Sequence, residues 1–348
     1  MKRIAPSYSR SEVNKAGTIL IDLKSASLPD TSWALDVMNN WRAAHDYPVN
    51  TFQANLRSKI KKRGYRDVLV VQRLKRITSI VAKLEKNPAM NLARMHDIGG
   101  LRAILSTIRQ VNALKLDFMA SKFQHKLLRE YDYIAEPKPS GYRGVHLVYQ
   151  YFNNRAPEYD GFRLELQLRT KLQHAWATAV ETMGTFLDTS LKSSEGPEKW
   201  LEFFSICGAA FALLEKCPLP NSFEDTAPGE ITTRLKTLEE ELDVVNSLAI
   251  FGATIRALDA GNLKHKYFLL MLQISKKQVT YEGFSAEQLD KATERYLMYE
   301  KEFGDQTADQ VVLVSGESIK ALRRAYPNYF LDTNEFVKQL NKYYEKFS

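Results

Sequence analysis

Cysteine is scarce: the 348 residues contain two, Cys207 and Cys217. The nine residues between them fit neither a CxxC zinc pair nor a disulfide framework, so a reducing cytoplasm is the expected compartment. Long apolar runs are also missing. No stretch of eighteen apolar residues occurs, and the opening MKRIAPSYSRSEV has no apolar core of signal-peptide length. Both points argue against membrane spanning and secretion. The common catalytic signatures are absent as well. There is no GxxxxGK[ST] phosphate loop, no GxGxxG, no GxSxG elbow and no HExxH or HxxxH zinc spacing. The usual ATPase, dehydrogenase, hydrolase and metalloprotease readings lose their support.

What is present is positive charge. The net charge is +8 and the pI about 9.2, on a chain with 44% hydrophobic and 26% charged residues, ordinary for a globular protein. Between Arg57 and Lys83 stand ten Lys/Arg (57, 59, 61, 62, 63, 66, 73, 75, 76, 83) against one acid, Asp67. Solvated helix faces usually mix signs, so this run points to a polyanion.

Spacing predicts helices over 31–45, with Thr31 or Ser32 as N-cap, over 51–63 after a Tyr-Pro break at 47–48, and over 67–86. DIGGLRAIL, 97–105, reads as a turn feeding a buried strand, followed by a helix over 108–129. VHLVYQYF is a further strand, and GFRLELQLRT, 161–170, is the most regular. Its Phe162, Leu164, Leu166 and Leu168 alternate with Arg163, Glu165, Gln167 and Arg169, which puts four apolar residues on one face and Arg-Glu-Gln-Arg on the other. KLQHAWATAVETMGTF is helical. This order predicts an α/β or α+β domain with one sheet. Residues 196–265 read as mostly helical. The last eighty form a small α/β unit with a hairpin, a helix over 285–303, a strand QVVLVS and two short helices broken at Tyr326-Pro327.

Three sets of residues can do chemistry. Asp97 and Glu165, each at a strand and surrounded by Lys/Arg, can hold Mg²⁺ against a polyphosphate or simply pair with surface arginines. Arg73, Lys75, Ser79 and Lys83 can grip a triphosphate or form a solvated basic helix. In AEPKPSGYRGVH, Lys138 and Arg143 can meet phosphate and Tyr142 can stack on a base, or the loop is a turn in which the ring is incidental. His96, His125 and His265 read as structural or surface residues.

The order RLK…S…K, DIGGLR, KxxGYRGVH, ELQLRT, HAWA resembles the synthetase domain of the RelA/SpoT family over about residues 30–190. The resemblance implies transfer of the β,γ-pyrophosphate of ATP to a ribose 3′-hydroxyl. It makes Arg73, Lys75, Ser79, Lys83 and Arg102 ATP ligands, Asp97 a Mg²⁺ ligand, and Glu165 a second metal ligand or the group that activates the 3′-hydroxyl. Lys138, Tyr142, Arg143, His146, Gln167 and Arg169 then face the acceptor. The family loop commonly reads GYRSxH; here Gly144 replaces the serine, and acceptor identity stays open between tRNA and a purine nucleotide such as GDP or GTP.

NNWRAAHDYPVNTF, 39–52, resembles the toxic small alarmone synthetases. The C-terminal eighty residues, with RRAYPNYF, resemble the pseudo-zinc-finger antitoxin region of CapRel fused toxin–antitoxin proteins. The implied architecture is α+β: a nucleotidyltransferase-like synthetase domain (mixed sheet flanked by helices) over 1–195, a helical linker over 196–265 and a small α/β pseudo-zinc-finger domain over 266–348. The implied function is an autoinhibited pyrophosphokinase acting on the tRNA 3′-CCA end in anti-phage defence. Tyr326 and Tyr329 would plug the site until a phage capsid protein binds the C-terminal domain. The alternatives are a nucleotide-level synthetase making ppGpp or ppApp, and a catalytically silent nucleotide- or RNA-binding module.

Overall fold

Ser9 closes a capping box with Glu12 at the start of α1 (Arg10–Ile21), and Ser27 caps α2 (Leu28–Ala44). The cap of α2 therefore lies upstream of the expected Thr31 or Ser32. Next comes α3 (Asp46–Lys62), and the expected break at 47–48 does not occur. Pro48 falls in the first helical turn, where a missing N–H costs nothing. These elements come from a computed structural model that describes residues 4–22, 27–75, 77–187, 191, 196–249, 265–273, 278–303, 310–315 and 329–347.

Residues 67–86 do not form one helix. Leu69–Leu74 are β1, and the helix begins only at α4 (Ile77–Lys86). The run Leu69-Val70-Val71 favours an extended backbone, and β2 (Gly99–Leu105) offers it an antiparallel ladder. Similarly, α5 (Ile108–Met119) stops well before residue 129, and Lys126–Asp132 form β3. β4 (Val145–Gln150) and β5 (Arg163–Thr170) complete a five-stranded mixed sheet of order β1-β2-β5-β4-β3. β2 and β5 run parallel; the other neighbours are antiparallel.

Leu164, Leu166 and Leu168 of β5 are buried while Arg163, Glu165 and Gln167 are half-buried, as alternation requires. α3 and α5 cover the apolar face, where Phe52 lies against both Phe118 and Tyr149. The register sets the opposite, polar face. Glu165 is level with Gly100 on β2 and Val148 on β4, and Gln167 is level with Arg102 and His146.

By contact density the chain divides into two units, Met1–Asp132 with Gly144–Lys171, and Tyr133–Arg143 with Leu172–Ser348. The core of the second unit gathers α6 (Lys171–Phe186), α7 (Glu198–Glu215), α8 (Pro228–Leu242) and a C-terminal helix. α7 is apolar nearly all round, as befits a central helix, with Phe203, Phe204, Cys207 and Phe211 buried. The second unit also holds a three-stranded antiparallel sheet of order β7-β6-β8, made of β6 (Tyr267–Gln273), β7 (Gln278–Phe284) and β8 (Gln310–Ser315), with α9 (Leu289–Phe303) between β7 and β8 in sequence. The C-terminal helix, α10 (Tyr329–Phe347), buries Phe336 against Phe204 and Phe211.

The loop 133–143 joins β3 to β4 in sequence but packs in the second unit. Gly141 has φ +84°, and its backbone meets Gly208 of α7 so closely that a Cβ on Gly208 would strike the Cα, C and O of Gly141. Neither backbone can retreat cheaply. Gly208→Ala should therefore destabilise the second unit by about 1–3 kcal/mol, the scale of overpacking, read as a lower urea midpoint with an unchanged slope.

Candidate active site

Lys75 leaves the end of β1 with its N–H on Ile98 O (2.8 Å), and Arg42 of α2 donates to its carbonyl (2.6 Å). Those bonds hold it beside the turn that carries Asp97 into β2. Its Nζ reaches Asp97 Oδ2 at 3.0 Å, and Lys83 Nζ, from the last turn of α4, reaches Oδ1 at 2.9 Å. Across β2, Glu165 has no side chain beside it at Gly100. Its Oε1 meets His146 Nδ1 at 2.8 Å and its Oε2 accepts from Gln167 Nε2 at 2.7 Å. All four carboxylate oxygens therefore have a donor or a histidine nitrogen. Arg102 Nε and Arg169 Nη2 both donate to Gln167 Oε1, at 3.2 and 3.0 Å, extending the network along the polar face.

These contacts decide the charge states. Burial would raise the Asp97 carboxyl, but Lys75 and Lys83 bring it below its ordinary value against an opposing push from Glu165. Burial likewise opposes ionisation of Glu165; the charge and hydrogen bond of His146, then Gln167 and Lys83, hold it well below the usual carboxylate range. Two ionised carboxylates near the starts of the neighbouring strands β2 and β5 are the hard oxygen donors Mg²⁺ takes, the remaining positions being filled by water and phosphate oxygens. Among the described residues no group of three His, Cys, Asp or Glu forms a larger cage. The donor set fits a metal shared with a substrate.

The other expected residues fall in different surroundings. Ser79 is exposed on α4, one turn before Lys83. The backbone of Arg73 pairs with Gly100; its side chain is outside the described residues. The basic run 57–83 is not one surface: Lys59 donates to Asp117 O and Arg63 grips the Asp117 carboxylate through two nitrogens, tying α3 to α5. Tyr142 is not displayed at a loop tip. It is 7% exposed, with Tyr133 and Trp176 rings at 5.8 and 6.2 Å and Lys138 Nζ over Tyr133 and Tyr142 at 4.4 and 5.6 Å. Arg143 is buried too, paired with Glu215 of α7 at 2.6 Å, and Ser205 Oγ donates to Pro139 O. Tyr326 lies outside the described residues, as does the side chain of Tyr329 at the start of α10.

Sequence reasoning missed Arg163 and His96. Arg163 Nη1 donates to Arg94 O at 2.9 Å and lies 2.8 Å from His96 Nε2, next to Asp97 in sequence. The alternation that placed Glu165 and Gln167 on the polar face placed Arg163 there as well, so the signal was available. The contact of Arg42 with Lys75 left no such trace.

Residues 72–184 match the sequence family described as "Region found in RelA / SpoT proteins". This stretch is similar to the region that RelA and SpoT proteins share. It contains Asp97, Glu165, Lys75, Lys83 and the whole 133–143 loop. GTP pyrophosphokinase YjbM of Bacillus subtilis is 32% identical over 116 residues, 33% of this chain and 54% of that protein. GTP pyrophosphokinase YwaC of the same organism is 33% identical over 118 residues, 30% of this chain and 52% of that protein. The chain thus spans about half the length of these curated relatives. Among solved structures, small alarmone synthetase 1 from Bacillus subtilis bound to pppGpp aligns at 27% identity and a TM-score of 0.43, covering 49% of this chain and 89% of that one. No helix among the described residues is long and apolar enough to cross a membrane.

The depressed carboxyl of Glu165 has a thermodynamic consequence. Its folded value lies below the unfolded value of about 4.3, so ionised Glu165 adds stability that is fully present above pH ~5 and lost as pH falls through the folded value. Glu165→Gln abolishes that contribution. Urea melts should show a wild-type-minus-variant stability gap that shrinks steadily as pH falls below 4.

Proposed function

We propose that the chain is an ATP-dependent pyrophosphokinase that transfers the β,γ-pyrophosphate of ATP to a ribose 3′-hydroxyl, with the tRNA 3′-CCA end as acceptor. The observation that carries this reading is the convergence of Lys75 and Lys83 on Asp97 beside Glu165, near the starts of β2 and β5 in the stretch that matches the RelA/SpoT region. In phosphoryl transfer the protein supplies mainly positioning and charge neutralisation. Lys75, Lys83 and Arg102 supply the cations, with Arg73 and Ser79 as further ATP contacts. Asp97 and Glu165 would hold Mg²⁺, which when bound neutralises charge on the phosphates. In the alternative role, Glu165, hydrogen-bonded to His146 and Gln167, would activate the attacking hydroxyl instead of holding the metal. Lysines now on Asp97 would turn to phosphate oxygens when nucleotide and metal arrive.

On the acceptor side, Tyr142 is the proposed stacking ring, with Lys138 and Arg143 near phosphate. In this role the ring leaves its seat between Tyr133 and Trp176. The C-terminal segment is proposed as the pseudo-zinc-finger restraint, with Tyr326 and Tyr329 as the plug and a phage capsid protein as the trigger in anti-phage defence. A trigger can shift that balance only by its differential affinity for the restrained and released states. A second reading is favoured by the relatives named GTP pyrophosphokinase: the acceptor is free GDP or GTP and the product an alarmone.

Incubation with γ-³²P-ATP and either tRNA or GDP/GTP, with and without phage lysate, separates these readings; label on tRNA alone supports the first, label on nucleotide alone the second. No label in any arm leaves a nucleotide- or RNA-binding module. Asp97→Asn should lower transfer by roughly 10³-fold, the scale of single charge-neutralising groups in phosphoryl transfer, with an unchanged circular dichroism spectrum. Near wild-type transfer by the variant would exclude the metal assignment. Tyr326→Ala with Tyr329→Ala should raise basal toxicity in cells without phage; a folded double variant that stays inert would exclude the plug.

A further inference from the structure

Beyond the carboxylate pair, the polar face of the first unit carries a second cluster of charge that the mechanism above does not use. Arg163 opens β5 two residues before Glu165, about 7 Å along the strand. Arg129 of β3 is level with Val148 and through it with Glu165, two strands and about 10 Å away. Arg94 gives its carbonyl to Arg163, and His96, which follows it by two residues, meets the same guanidinium. Arg10 arrives from the first turn of α1, some 150 residues earlier in sequence, and donates to Asp160 O at 2.8 Å. Its guanidinium lies against Gly161, which has φ +82° and where any Cβ would collide with it.

These four arginines sit together without acidic partners: among the described residues none forms a salt bridge to a carboxylate. Arg94, Arg10 and Arg129 all lie close enough to act on the charge of Arg163. Arg10, Arg94 and Arg129 are exposed and Arg163 is half-buried. Hydrogen bonds to Arg94 O, Asp160 O and Tyr131 OH hold three of these guanidiniums, but none of those acceptors carries a charge to balance them, and a polyanion would.

We infer that Arg163, Arg94, Arg129 and Arg10 form a track for the phosphodiester backbone of an oligonucleotide acceptor, leading its 3′ end to Asp97 and Glu165. This rests on the proposed transfer to a nucleic acid end. It adds the residues that would tell a strand from a free nucleotide. A lone nucleoside polyphosphate has nothing to lay along guanidiniums contributed by four separate elements, and the ATP side already has Lys75, Lys83 and Arg102. Backbone contacts of this kind fix register without reading sequence.

The test uses the full chain with Mg²⁺ and a non-hydrolysable ATP analogue. Affinity is measured for 5′-dye-labelled tRNA ending in CCA and for a fluorescent GDP, over a salt series. Arg94→Gln with Arg129→Gln is the first variant, because both side chains are exposed and the fold should tolerate their loss; Arg163→Gln is the second. The expected result is at least a tenfold loss of tRNA affinity in the double variant, a salt slope flatter by about 1.4 for two lost single-strand phosphate contacts, and unchanged GDP affinity. Parallel loss of tRNA and GDP would assign the cluster to the nucleotide's own phosphates and overturn the inference. So would unchanged tRNA affinity and slope in both variants while wild type labels tRNA. Wild type that labels only GDP or GTP and does not bind tRNA would instead refute the proposed acceptor, and this track with it.

Discussion

Two carboxylates stay ionised side by side near the starts of two central strands, and much of the first unit serves that requirement. Each would repel the other, and burial alone would protonate both. The remedy is local. A lysine from the end of β1, a lysine from α4, a histidine from β4 and a glutamine from β5 each take one carboxylate oxygen. Of these contacts the two lysines on Asp97 are ion pairs, and such pairs at separations near 4 Å are worth about 1–4 kcal/mol each between water and a protein surface. The sheet order β1-β2-β5-β4 brings those elements together, and the parallel pairing of β2 with β5 puts Asp97 and Glu165 toward the same end of the two strands.

The same face holds a second set of cations. The lysines around Asp97 have their counter-charge in its carboxylate, whereas among the described residues the arginines around Arg163 form no salt bridge to a carboxylate. Local rules of folding favour dispersing like charges, and departures from them tend to collect where a fold is built for a ligand. The contrast with Lys59 and Arg63 is instructive. Those residues belong to the same basic run as Lys75 and Lys83 yet are used up on Asp117, holding α3 to α5. Net charge along a sequence does not distinguish a cation that builds the fold from one that waits for a phosphate. Partner atoms do.

The legibility of the sequence followed the range of the interactions. β5 was readable because its alternation is local and nearly unbroken, and it delivered Glu165 and Gln167 to their face. β1 was taken as helix because 67–86 carries apolar residues at helical spacing, and only pairing with β2, some thirty residues on, makes it a strand. β3, KLLREYD, gives no strand signal for a related reason: it is an edge strand with no fully buried residue and a charged sequence, and it takes its pairing from β4. Asp97 was nominated from its neighbours in sequence, and the structure supplied the two lysines on it. The burial of Tyr142 could not be read at all, since Trp176 and the α7 residues that close around the loop lie tens of residues downstream.

That burial changes what counts as a separable piece of this chain. The loop 133–143 is strung between two strands of the first unit, yet its ring and its arginine are seated by Trp176 and Glu215, and its glycine is keyed to Gly208. A fragment ending at residue 195 would keep Trp176 and lose Phe204, Gly208 and Glu215. It would carry every residue of the RelA/SpoT region but with the loop unseated, an aromatic ring and an unpaired guanidinium released into water. The activity of such a fragment would report on the unlatched loop rather than on the intact protein, so its behaviour and that of the full chain are two different measurements.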